Sequence, residues 1–126
     1  MSAFTPRSAA LVAAGGAVGA LARWLVAVAV PGLGGTLVAN VTGAFLLGAV
    51  LTVAATGRVP PRVATFATTG ALSSYTTYST FAVESALAGS PALVAGNVLA
   101  NYGLGFAAAF AGQLLARRAL ADGGGL

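Results

Sequence analysis

Residues 73 to 80 read Ser-Ser-Tyr-Thr-Thr-Tyr-Ser-Thr, eight consecutive hydroxyl side chains in the middle of an apolar stretch. Three asparagines stand in other apolar stretches: Asn40 in one, and Asn97 and Asn101 in another. Hydrocarbon solvates none of these groups, and each one left unpaired in it costs several kcal/mol, on the order of 4–8 by transfer to cyclohexane. They must face protein, water or a solute crossing the membrane. Amides and hydroxyls donate hydrogen bonds, and the rings of Tyr78 and Phe81 present the positive edge of their quadrupole. Arg23 adds one positive charge inside the first apolar stretch, and an intramembrane ionisable residue reads first as a functional site. No carboxylate sits at mid-depth, where a proton-coupled exchanger would want one. Donors, ring edges and a cation with no fixed negative charge suit a small anion that has shed its water. With no cysteine and no histidine, thiol chemistry and the commonest metal ligand are absent. No nucleophile–base pair or phosphate loop is present either, so the chain does not read as an enzyme.

The elements that must carry these residues are membrane helices. The sequence is 58% hydrophobic and 6% charged, with a mean hydropathy of +0.93, far from the roughly 25% charged residues of a soluble domain. Four stretches reach the length of about 20 residues needed to cross a bilayer: 9–30, 36–56, 63–87 and 92–115. Turn residues separate them, as in Pro31-Gly32-Leu33-Gly34-Gly35, Gly57-Arg58-Val59-Pro60-Pro61 and Ala88-Gly89-Ser90-Pro91. The expected fold is one all-α integral membrane domain of four transmembrane helices, with residues 119–126 as a flexible tail. Arg7 and Ala20-Leu21-Ala22 imitate a cleavable signal peptide. The apolar stretch continues past Arg23 through Trp24-Leu25-Val26, however, so cleavage would split a span. A pI near 10.8 does not imply nucleic acid, because the six arginines are scattered and mostly flank spans.

Helical spacing groups the polar residues by face. Thr36, Asn40 and Gly43 share one face of the second span; Asn97, Asn101 and Gly105 share one of the fourth; Tyr78 and Phe81 share one of the third. The set reads as a polar track, or, group by group, as interhelical glue worth about 0.6–2 kcal/mol each. Gly15, Gly19, Gly43, Gly48, Gly103, Gly105 and Gly112 read mainly as close-packing positions. Arg23 lines a vestibule or snorkels to the interface, and Glu84 pairs with Arg23 or ends its helix in water. Arg7, Arg58, Arg62, Arg117 and Arg118 all fall on one side of a four-span topology, and the first and third loops carry no basic residue. The positive-inside rule then puts both termini in the cytoplasm.

Gly35-Thr-Leu-Val-Ala-Asn40-Val-Thr-Gly43 through Gly48, Ala22-Arg23-Trp24, Thr68-Thr-Gly70, Thr76-Thr-Tyr78-Ser-Thr-Phe81 and Asn97-Val-Leu-Ala-Asn101 together resemble the Fluc (CrcB) fluoride channel family. The likeness covers nearly the whole chain in order. It implies a passive, selective fluoride channel in the cell membrane, built as an antiparallel dimer with a third helix broken near mid-membrane. It also implies a structural sodium ion at the subunit interface, held by backbone carbonyls at Ser73 and Thr76. By the same resemblance, Asn40, Thr77, Tyr78, Ser79, Thr80, Phe81, Asn97 and Asn101 belong to the fluoride pathway and Arg23 to its vestibule. Phe81 matches the second phenylalanine of an aromatic box, Tyr78 stands where the first usually is, and Glu84 matches an acidic position just beyond.

Two departures are visible. Ser73 and Ser74 replace a glycine pair, and serine hydroxyls can bond back to i−4 carbonyls and bend a continuous helix. Tyr78 keeps a ring edge but adds a hydroxyl. The five-to-none arginine bias also disfavours insertion in both directions, so a homologous subunit of opposite orientation is the expected partner rather than a second copy. Two alternatives stay open. One is a non-conducting assembly partner of a channel subunit. The other is a small multidrug transporter, which has similar spans but needs a membrane glutamate that this first span lacks.

Overall fold

The first helix, α1 (Pro6–Ala29), starts with a reciprocal cap: Ser8 N–H donates to Thr5 Oγ1 and Thr5 N–H donates to Ser8 Oγ. Pro6, which has no N–H to satisfy, takes the first helical position. The computed structural model describes residues 5–124. After α1 come α2 (Leu33–Ala54), a half-helix α3 (61–75), a second half-helix α4 (Tyr78–Leu87) and α5 (Pro91–Asp122). There is no strand among the described residues. α1, α2 and α5, at 24, 22 and 32 residues, are each long and apolar enough to cross a membrane.

Packing runs opposite to that of a soluble domain. The buried apolar residues are Ala39, Phe81 and Ala116, while Trp24, Val28, Leu99 and Phe106 lie outside at 59%, 61%, 72% and 71% exposure. Lipid tails are as apolar as leucine, so burying large side chains gains little and small residues let backbones approach. Gly15 and Gly19 of α1 rest on the Phe66 and Ala71 carbonyls of α3, and Gly48 and Gly112 close the seam between α2 and α5. A Cβ at any of these four would run into backbone. The Gly15–Phe66 and Gly19–Ala71 contacts advance together along the chain, as do Asn40–Asn101 and Gly48–Ala109, so α1 runs parallel to α3 and α2 parallel to α5. In contrast, Gly103 and Gly105 face no atom of the chain within 4 Å.

The third apolar stretch is not one helix. Within α3, residues Phe66–Leu72 widen into π-helical turns. Thr65, Thr68, Ser73 and Thr76 each direct a hydroxyl to the carbonyl four residues back, competing with the ladder they sit in. The serine expectation therefore holds for Ser73, yet the helix still breaks just beyond. Thr76 (φ −76°, ψ 154°) and Thr77 (φ −146°, ψ 118°) are extended, a conformation β-branched residues favour. The Thr77 hydroxyl then caps α4 by accepting from Thr80 N–H at 3.1 Å.

At the other end, helix α5 continues through Asp122, four residues into the segment expected as tail. Ala119-Leu120-Ala121 are good helix formers, and the glycines that follow are not. Residues 125 and 126 lie outside the described residues.

Candidate functional site

The break is held from outside by two side chains. Asn40 of α2 clasps both backbone groups of Thr77: its Oδ1 accepts from Thr77 N–H at 2.8 Å, and its Nδ2 donates to the Thr77 carbonyl at 3.1 Å. The amide thus supplies the partners a helix would have given, and this is why an extended residue survives at that depth. From α1, Arg23 Nε donates to the Ser74 carbonyl at 3.1 Å, placing a cation at the carbonyl end of the half-helix, where the peptide dipoles favour it.

A directional chain of amides leads away from the clasp. The second Asn40 Nδ2 hydrogen goes to Asn101 Oδ1 at 3.0 Å. Asn101 Nδ2 donates to Asn97 Oδ1 at 2.9 Å and to the Asn97 carbonyl at 3.0 Å, and Asn97 Nδ2 donates to Ser85 Oγ at 2.9 Å. Asn97, Asn101 and Ser85 are buried. Every carboxamide in the row is satisfied within the chain, and the row ends on a hydroxyl with a proton of its own to donate.

Beside this row opens a cleft of about 260 Å³, lined by Asn40, Ala44, Thr76, Thr77, Tyr78, Phe81, Asn101, Tyr102 and Gly105. Phe81 is buried and meets Tyr102 edge-on, with ring centroids 6.0 Å apart and planes at 84°. Tyr78 lies 5.8 Å from Phe81 at 47° but is 73% exposed. The bare backbone at Gly105 keeps the α5 wall open, since nothing stands within 4 Å of where its Cβ would be.

The structure therefore brings Asn40, Thr76, Thr77, Tyr78, Phe81 and Asn101 to one cleft, with Asn97 joined to it through Asn101. Ser79 and Thr80 do not line it: Ser79 is exposed, and the Thr80 hydroxyl is hydrogen-bonded to Thr77 at 3.0 Å. Arg23 does not pair with Glu84 but engages Ser74, and Glu84 does not end in open water, because its Oε2 is buried without a partner. Tyr102 and Ser85 belong to the site and were not read from sequence. Ser85 lies one turn beyond Phe81 on the same face, and Tyr102 adjoins Asn101 as the one hydroxylated aromatic of its span; those were the available signals.

The break also tests whether a cation would fit. The Thr77 and Thr80 N–H groups, which would ordinarily bond the Ser73 and Thr76 carbonyls four residues back, are held by Asn40 and by the Thr77 side chain. Two main-chain oxygens are thereby deprived of those donors, and oxygen ligands are what a hard cation takes.

Residues 10–113 match the family model described as CrcB-like protein, Camphor Resistance (CrcB). The chain is similar to fluoride-specific ion channel FluC 1 of Natronomonas pharaonis, at 55% identity over 82% of this chain and 88% of that one. It is 49% identical to fluoride-specific ion channel FluC 2 of Halobacterium salinarum over 92% of this chain and 91% of the relative. A second protein of that organism, fluoride-specific ion channel FluC 1, is 42% identical over 86% and 93% of the two chains.

Proposed function

The chain belongs to the CrcB family, and on that premise we propose that it forms a passive fluoride channel that lowers cytoplasmic fluoride. The family is one of ion channels rather than enzymes, and its members are multi-pass membrane proteins. The observation that carries the fluoride reading is the cleft itself, where amide donors, hydroxyls and two crossed ring edges converge with no carboxylate among its walls.

Fluoride is small and holds its water tightly; stripping an ion of that water without replacement costs tens of kcal/mol in the idealised limit. Replacement donors must therefore be close, yet release must stay easy. The Asn40 amide meets both needs. Its Nδ2–H rests on Asn101 Oδ1, so an entering anion exchanges one acceptor for another rather than filling an empty donor, which keeps binding weak. The edges of Phe81 and Tyr102 supply the second contact, one that larger anions fill poorly. Arg23, with Nε committed to Ser74, raises local anion concentration through its remaining N–H groups.

The assembly proposed is an antiparallel dimer in which α3 and α4 together make the third crossing, with both termini cytoplasmic. A homologous subunit of opposite orientation is favoured over a second copy. The one-sided arginines support this, as does the existence of two distinct relatives in one organism. The Ser73 and Thr76 carbonyls would hold a structural sodium ion at the subunit interface, where it would neutralise main-chain oxygens at the break. A non-conducting partner role is the second reading, favoured by the internal satisfaction of Asn40 and the outward Tyr78. Liposomes carrying this chain alone, and with an oppositely oriented homologue, separate the readings through fluoride-electrode recording. Efflux only from the mixed preparation, abolished by blocking this chain's cleft, supports a conducting heterodimer; efflux unaffected by that block supports the second reading.

A further inference from the structure

Arg7 and Arg62 are the second residues of α1 and α3, and parallel packing of those helices brings them to one end of the bundle. Their side chains line a single surface cavity of about 330 Å³ whose other walls are Ala10 and Leu11. Among the described residues Arg23 is the arginine that makes a side-chain hydrogen bond, while Arg7 and Arg62 are exposed and make none there. The chain has only two acidic side chains, Glu84 on α4 and Asp122 at the end of α5, and neither lines this cavity. Two forked donors thus stand over an apolar wall that continues into a membrane span.

We propose that this cavity binds the phosphate of an anionic lipid headgroup. Guanidinium forks match phosphate oxygens in pairs, and basic pockets between membrane helices on the cytoplasmic side suit such headgroups. A free phosphate shares the charge chemistry but makes no use of the Ala10–Leu11 wall, whereas the glycerol and first acyl carbons of a lipid lie against it. The site is separate from the cleft and independent of which ion the chain conducts. Occupancy would tether the starts of α1 and α3, the two helices whose far ends meet at Arg23 and Ser74.

Native mass spectrometry of the chain extracted from bilayers of equal phosphatidylglycerol and phosphatidylcholine tests this. The unaltered chain retains phosphatidylglycerol in preference. R7Q and R62Q each lower that retention about fivefold, from the energy of one basic residue near an anionic surface, and R117Q/R118Q leaves it unchanged. Equal retention by R7Q/R62Q and the unaltered chain overturns the proposal, as does complete displacement of the lipid by millimolar inorganic phosphate. Should R7Q/R62Q fail to fold, R7K/R62K keeps the charge and loses the fork: weaker retention supports the site, and undiminished retention overturns it.

Discussion

Asn40 is bound on both sides, to Thr77 and to Asn101, so it positions the break and lends one hydrogen to the cleft. Its place on a helical face with Thr36 and Gly43 was legible from spacing, and so was the Asn97–Asn101 turn. The clasp on Thr77 was not, because it joins residues 37 apart through a break that periodicity does not signal. Phe81 is the cleaner probe of the ring-edge contact. Phe81→Leu keeps most of the volume, and such swaps usually cost under about 1.5 kcal/mol, yet the edge is gone. Fluoride efflux should fall at least about tenfold, an added barrier of about 1.4 kcal/mol, with thermal unfolding in detergent nearly unmoved. Tyr102 should behave likewise: Tyr102→Phe keeps efflux within about twofold, and Tyr102→Leu lowers it as Phe81→Leu does, since what it offers Phe81 is a ring. Efflux untouched by both leucine variants would remove the aromatic contact from the pathway.

At the level of elements, the broken third stretch decides what the cleft looks like. Composition alone gave one continuous span over residues 63–87, since all four stretches look alike to hydropathy. Family likeness gave the break, and Ser73-Ser74 argued for a bent continuous helix instead. Both outcomes occur, a few residues apart: hydroxyl back-bonding loosens α3, and the chain then separates at Thr76 and Thr77, where Asn40, Arg23 and the Thr77 cap take over the ladder's hydrogen bonds. Removing any one of these supports has a defined cost. Thr77→Val deletes the cap of α4, worth about 1 kcal/mol, and hydrogen exchange at the Thr80 amide should rise about fivefold. Arg23→Gln weakens a charged donor to the Ser74 carbonyl, where such bonds contribute about 1.5–3 kcal/mol. Its thermal midpoint should drop by more than that of Thr77→Val. If Arg23→Gln unfolds at the same temperature as the unaltered chain, Arg23 does not brace the break.

For the molecule as a whole, small and polar residues lie inside and large apolar ones outside, which leaves faces for lipid and, in the proposed dimer, for a partner subunit. That inversion was legible from the charge deficit and the glycine spacing, whereas the open faces at Gly103 and Gly105 emerge only once the helices are placed. The parallel runs of α1 with α3 and α2 with α5 agree with the arginine count in gathering five of the six arginines, all but Arg23, at one end. Single cysteines at Thr56 and Ser90 should each label from one side only, Thr56 from the cytoplasm and Ser90 from outside. Equal labelling of both sites from both sides would restore a homodimer inserted two ways. The cleft remains the centre of the account, and Asn40→Asp examines it most directly, because it puts a carboxylate where the anion must pass and replaces the Nδ2–H donor. In liposomes holding this chain with its oppositely oriented homologue, a fluoride electrode should record efflux from the unaltered chain and, once the homologue's own contribution is subtracted, a loss of at least about 100-fold in the variant, a barrier increase of about 2.7 kcal/mol. Fluoride leaving at an undiminished rate through the Asn40→Asp protein would contradict a path past Asn40.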